Sequence, residues 1–252
     1  MLVLEEQTTI TVRIRGIVYV FNKSEGRLLK MKNKSVFRVS VTIPDKIEDI
    51  SVCSLGCCFC IGPFSKVTIP NSVFIVDEGA FRGSNVEEVV WPPFCSTIPD
   101  QCFYGSHIKR ISNIENSVFV IGASAFNSSD IEELIWPKHC YVIPYACFYL
   151  SSIKSIENIA NVTKVDRFSF SRCNIDELEF PSCCSVIPQY CFANSRLGEI
   201  TNLDHIEVIE EKAFQGTCMT KPLDLSRLIG CNISEEAFED FCLDEVILPY
   251  YL

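Results

Sequence analysis

Apolar residues recur in fixed slots along this chain at intervals of 22 to 24 residues. With Phe as the anchor, the series runs Phe59, Phe81, Phe103, Phe126, Phe148, Phe170, Phe192, Phe214 and Phe238. Five residues before each anchor stands a branched aliphatic residue, as in Val76, Ile98, Ile121, Ile143, Val165, Ile187, Ile209 and Ile233. Five and eight residues after it the pattern repeats, as in Val86 with Val89, Ile108 with Ile111, and Ile153 with Ile156. A unit with so few apolar positions cannot enclose a core alone, but stacked copies bury each unit's apolar edge against the next. The pattern therefore predicts a solenoid. The segment five to ten residues after each Phe, such as "VEEVVW" or "IEELIW", is predicted to be a strand of one continuous parallel sheet, and Pro70, Pro92, Pro137 and Pro181 end those strands because proline supplies no ladder donor. Ser54 in an apolar slot, and Met219 and Pro222 near the other end, weaken the pattern as terminal repeats do.

Upstream the periodicity changes. "TTITVRIRGIVYVF" alternates like a half-buried strand, "NKSEG" offers a turn and "SVFRVSVTI" reads as a returning strand. We expect a β-hairpin cap over residues 1–43 and a solenoid of about nine coils over residues 44–252.

The units come in two alternating kinds, which explains why "WPPFCSTIPDQCF" at 91–103 returns as "WPKHCYVIPYACF" at 136–148. One kind has Ala before the Phe (Ala80, Ala125, Ala213, Ala237, with Ser169 as a variant); the other has Cys (Cys58, Cys102, Cys147, Cys191). A second slot sets Val73, Val118, Val162 and Ile206 against Cys95, Cys140 and Cys184. Slots that exchange Cys for Ala, Ser or Val select small apolar volume, so most of the 15 cysteines are expected to be buried free thiols. Equivalent cysteines two coils apart lie about 9–10 Å from each other at ~4.7–4.9 Å per rung, beyond the ~7 Å that a disulfide spans. The cluster Cys53, Cys57, Cys58 and Cys60 contains a Cys-x-x-Cys of the kind that holds zinc, but the second pair of a zinc site does not follow it, and core packing is the expected role.

In register over all nine copies, "VTIPNSVFIVDEGAFRGSNVEEVVWP" resembles the BspA-like leucine-rich repeats of bacterial and protozoan proteins. Only "VIGASAF" keeps that family's Gly, and the slot three after Phe is mostly a hydroxyl residue (Ser84, Ser106, Ser129, Ser151, Ser195, Thr217), with Cys at Cys173. The resemblance covers about residues 44–252. It implies a leucine-rich-repeat solenoid of the α/β horseshoe class, mostly short parallel strands joined by turns or short helical segments. It also implies protein binding, with surface adhesion or host interaction as the role of some members.

Charge narrows the partners. With 22 basic and 32 acidic residues the net charge is −10, which argues against nucleic acid. The excess is uneven: residues 1–46 carry nine Lys and Arg against four Asp and Glu, so the remainder holds −15. No apolar run reaches the ~20 residues of a membrane helix, and "MLVLEEQTTITVRIRG" lacks the features of a signal peptide. Those features favour a cytoplasmic scaffold or adaptor, the alternative to the surface location that the resemblance implies.

Catalytic and cofactor motifs are not found: three isolated histidines (His107, His139, His205) read as surface residues, and the pairs Glu87–Glu88 and Glu132–Glu133 read as a solvated sheet edge rather than paired acids. No cofactor or metal is therefore expected. Trp91, Trp136 and Phe180 share the slot ten after Phe and are expected in the core. Positions six and seven after Phe should face outward with alternating sign, and positions seven and nine turn acidic towards the C-terminus. The candidate binding face comprises Glu88, Arg110, Glu133, Glu157, Glu177, Glu179 and Glu199, and the expected partner is a protein with a basic patch.

Overall fold

The computed structural model describes residues 8–57, 60–242 and 246–247. Each coil contributes one strand to a major row and a two-residue strand to a minor row. The major row includes Phe64–Thr68, Glu88–Val90, Arg110–Ser112, Glu133–Ile135, Ser155–Glu157, Asn174–Glu179 and Arg196–Thr201; the minor row includes Thr97–Ile98, Val120–Ile121, Val142–Ile143 and Lys164–Val165. Register follows the repeat, with Val67, Val89 and Ile111 side by side in one group of parallel strands and Leu178 beside Ile200 in another. The solenoid is as the sequence leads one to expect, but its major row is not one continuous sheet: it divides into a group ending at Arg110–Ser112, the pair Glu133–Ile135 with Ser155–Glu157, and a group from Asn174–Glu179 to Cys218–Met219. The third side, where short helical segments were allowed for, is built from turns, and no α-helix occurs among the described residues. Likewise, no helix there is long and apolar enough to cross a membrane.

The turn side is held by its own ladder. The Phe126 N–H donates to the Cys147 carbonyl at 3.0 Å and the Phe148 N–H to the Ser169 carbonyl at 2.9 Å, so each anchor is hydrogen-bonded to the coil that follows. This ladder holds a costly conformation. Two positions per coil, two before and two after the Phe, take left-handed φ, as in Ala146 (50°) with Leu150 (57°) and Tyr190 (58°) with Asn194 (56°). Non-glycine residues there cost about 1–2 kcal/mol each. Buried hydroxyls complete the turn: Ser195 Oγ donates to the Phe170 carbonyl at 2.7 Å, Thr217 Oγ1 to the Phe192 carbonyl at 2.7 Å, and Cys173 Sγ fills the same role towards the Phe148 carbonyl at 2.8 Å.

Inside, the anchors form one stack. Ring centroids from Phe81 to Phe238 are 5.1–5.6 Å apart and close to parallel, and most of these rings are fully buried. Trp91, Trp136 and Phe180 are fully buried too and tilt against Phe103, Phe148 and Phe192 at 6.2, 6.1 and 6.4 Å. The alternation of units follows from this filling. A coil that inserts a large aromatic is followed by one with Cys in the neighbouring slot, and the indole N–H of Trp91 or Trp136 bonds the carbonyl of that Cys, Cys95 or Cys140, at 2.9 and 2.8 Å. In three of the other coils an Asn stands in the aromatic slot, with φ of 68° at Asn113, 65° at Asn158 and 62° at Asn202. At the last two the side-chain amide donates to the preceding coil: Asn158 to the Trp136 carbonyl at 3.0 Å and Asn202 to the Phe180 carbonyl at 2.8 Å.

At the N-terminus, β1 (Thr9–Ile14), β2 (Ile17–Asn22) and β3 (Arg27–Lys32) form an antiparallel meander. The strand that returns after "NKSEG" is β3, with "SVFRVSVTI" supplying β4 (Val39–Thr42). Both then enter the solenoid as parallel rungs: β3 pairs with Ser54–Leu55, and β4 pairs with Phe64–Thr68 of the major row. The apolar alternation of "RVSVT" suits a rung as well as a hairpin arm, since both hide one face.

Candidate functional site

The outward face of the major row is where the charged slots meet. Because units are 22 residues long, residues 22 apart become cross-strand neighbours, and Lys66 with Glu88 (2.8 Å) and Lys154 with Glu132 (2.7 Å) form ion pairs of this kind. Lys109 lies 3.7 Å from Glu87, which also pairs with Arg38, and Lys221 pairs with Glu199. In its first half, then, the face largely neutralises itself.

Alternation stops in the second half. Glu177 and Glu199 are register partners on adjacent strands, and Glu179 lies beside Thr201. Glu157, Glu177, Glu179 and Glu199 line one concavity of about 530 Å³ over Ile159, Leu178 and Phe180. Among the described residues, Glu157, Glu177 and Glu179 have no ion-pair partner. A second concavity of about 520 Å³ contains Arg110, Glu133 and Glu157, so the two meet at Glu157 in one trough. Of the candidate residues, Glu88 lines neither concavity; it is the register partner of Arg110 and is held by Lys66.

Most of the described cysteines belong to the packing. Cys102, Cys147 and Cys191 are fully buried, and burial pushes their thiols well above the ordinary range; Cys173 is raised to about 12 for the same reason. Such thiols hold their protons and are poor nucleophiles. In the N-terminal cluster, Cys53 Sγ donates to the Glu25 and Gly26 carbonyls, Cys60 is buried and Cys57 is exposed; Cys58 lies outside the described residues. Among the described residues no three His, Cys, Asp or Glu side chains converge as metal ligands would.

His107 is exposed as expected and bonded to Asp130 at 2.7 Å, whereas His139 is half-buried and stacks on Phe119 at 5.2 Å. His205 also departs from that expectation. It is half-buried, with Nε2 2.9 Å from the Pro181 carbonyl and 3.1 Å from that of Cys184. The sequence reading also missed surface aromatics: Phe74, Phe119 and Tyr141 are exposed beside the minor row, and on the turn side Phe168 stacks on Tyr190 at 4.7 Å near Tyr145. The signal for the first three was available in the slot seven before Phe, where they stand.

Comparison with known proteins agrees with this architecture. A profile of the "BspA type Leucine rich repeat region" matches six copies over residues 54–176 and 120–243. The fold is similar to that of a leucine rich cell surface protein from Faecalibacterium prausnitzii, with a TM-score of 0.57 and 14% identity over 91% of this chain and 86% of that one. It is also similar to a leucine-rich repeat protein from Bacteroides ovatus, with a TM-score of 0.54 and 17% identity over 88% of this chain and 58% of that one. At such identities the likeness is one of fold. No curated protein matches the sequence.

Proposed function

The chain belongs to the BspA type leucine-rich repeat family, and from that premise we propose that it is a non-enzymatic binding module that captures a protein partner on the acidic trough of its major row. Repeats of this kind form protein-interaction scaffolds whose extended faces display side chains from many coils. The observation that carries the reading is the concavity lined by Glu157, Glu177, Glu179 and Glu199, where like charges stand side by side. Like charges directly opposite each other destabilise a sheet, and a basic patch relieves that repulsion on docking. The matching partner is a protein surface rich in Lys and Arg, drawn in by long-range attraction that salt screens. The likeness to a protein described as a leucine rich cell surface protein favours display at a cell surface. Residues 1–43 then act as the N-terminal cap of the solenoid.

Charge reversal tests the reading. With all four glutamates changed to Lys and the thermal midpoint checked for an intact fold, partners captured from native extract by the parent protein should be lost, and association with the parent should slow as salt rises. Equal capture by both proteins at low salt would sink it. Labelling the tagged protein on intact and on permeabilised source cells separates surface display from an internal scaffold.

A further inference from the structure

Slots four residues after the Phe anchors lie on the outside and pair between successive coils, as His107 and Asp130 do at 2.7 Å. In the last two coils this slot holds Cys218 and Cys242. They are joined by a parallel β-bridge, the Cys242 N–H donates to the Thr217 carbonyl at 2.9 Å, and both cysteines are exposed and free. Cys242 Sγ donates to its own turn, at 3.6 Å from the Asp240 carbonyl. Adjacent rungs stand ~4.7–4.9 Å apart, inside the ~4.4–6.8 Å between Cα atoms that a disulfide spans. The core cysteines differ: equivalent ones are two coils apart, and Cys95 and Cys140 are buried where Cys218 and Cys242 are exposed.

We propose that Cys218 and Cys242 form a reversible disulfide site that staples the last coil to the one before it. The reaction is thiol–disulfide exchange with a low-molecular-weight disulfide such as oxidised glutathione. One thiol loses its proton and its thiolate attacks the glutathione disulfide, forming a mixed disulfide and releasing one glutathione thiolate. The second cysteine, deprotonated in turn, attacks the protein sulfur of that mixed disulfide and displaces the other glutathione. Two thiols of the protein are oxidised to one disulfide, and one glutathione disulfide is reduced to two glutathiones.

The position makes the staple consequential. A solenoid coil is stable only through its neighbours, so a covalent bond between two adjacent coils holds both in place. Cys218 continues the major row as the register partner of Arg196, and downstream Val246–Ile247 pairs with Leu223–Asp224. A bond between Cys218 and Cys242 therefore closes the C-terminal edge of the same row that carries the acidic trough.

The native chain is incubated with excess oxidised glutathione, then alkylated, digested and analysed by mass spectrometry. Peptides containing Cys218 and Cys242 should appear linked, lighter by two hydrogens than their reduced sum, and the link should disappear on return to reduced glutathione. Cys183, exposed and without such a neighbour, serves as the internal control and should be alkylated or carry glutathione. The C218S variant should trap glutathione on Cys242. Separate alkylation of both cysteines in the oxidised native chain, or glutathione held on both without a link, would overturn the proposal.

Discussion

Glu177 and Glu199 stand side by side on adjacent parallel strands of the major row, with Lys221 paired to Glu199 from the next coil. This is the place where the charge alternation of the face breaks down. Changing Glu177 to Lys should place opposite charges in register and stabilise the fold by ~0–1 kcal/mol, the range for an exposed pair. The same change should weaken capture of a basic partner. Urea denaturation and a binding titration on one preparation report both effects. A variant that loses stability and keeps its binding contradicts both assignments.

Most of the solenoid was legible because its core is made of identical slots. Phe148 sits on Phe126 and Phe170 for the reason that it stands 22 residues from each, and in-register stacking turns sequence spacing directly into contact. The acidic face was legible by the same arithmetic, since Glu177 and Glu199 are one unit apart. What was not legible depended on contacts between unlike positions. His205 reaches the Cys184 carbonyl across 21 residues, between slots that share no pattern. The rung role of β4 was hidden because strand alternation does not distinguish parallel from antiparallel partners. Cys218 and Cys242 were missed because a slot filled by Cys only in the final two coils does not register as a repeat.

Replacing Phe148 with Ala should destabilise the protein by ~3–5 kcal/mol, as expected for a buried aromatic. Its ring is fully buried, 5.5 Å from Phe126, 5.6 Å from Phe170 and 6.1 Å from Trp136, so both neighbouring coils lose contact at once. Hydrogen exchange should quicken in the coils on either side as well as in its own. An unchanged denaturation midpoint would show that the stack does not hold the fold together.

Stability should fall on the alkaline side because of the buried thiols. Burial raises Cys173 from 9.0 to about 12 and holds Cys102, Cys147 and Cys191 well above the ordinary thiol value too. Above the ordinary thiol value the unfolded chain gives up these protons while the folded chain keeps them. The native state then binds more protons, and stability declines as pH rises from the ordinary value towards the folded one. Lys154 and Lys212, raised by hydrogen bonds to Glu132 and Glu236, act in the same direction but only beyond the ordinary lysine value of 10.5. Denaturation midpoints between about pH 8 and about pH 10 isolate the thiols. The decline should be shallower in a Cys147→Ala variant, whose slot holds Ala in the coils of Ala125 and Ala213. A midpoint that stays level across this range would contradict the burial of the thiols.

The indole of Trp136 should prove exchangeable for phenyl only if a second group replaces its N–H. Trp136 donates to the Cys140 carbonyl at 2.8 Å, and one two-coil block later Phe180 fills the same slot with no such donor. There His205 Nε2 lies 3.1 Å from the corresponding Cys184 carbonyl, placed to donate in the indole's stead. The residue equivalent to His205 in the Trp136 block is Asn161, which is exposed. Trp136→Phe alone should therefore leave a buried carbonyl without its partner and cost about 1–3 kcal/mol. Adding Asn161→His should restore a donor to that carbonyl and return a substantial part of the loss, a coupling that a double-mutant cycle reads directly. The complementary change, His205→Ala in the Phe180 block, should cost a similar amount. Additive effects of Trp136→Phe and Asn161→His would mean that the two side chains do not serve the same carbonyl.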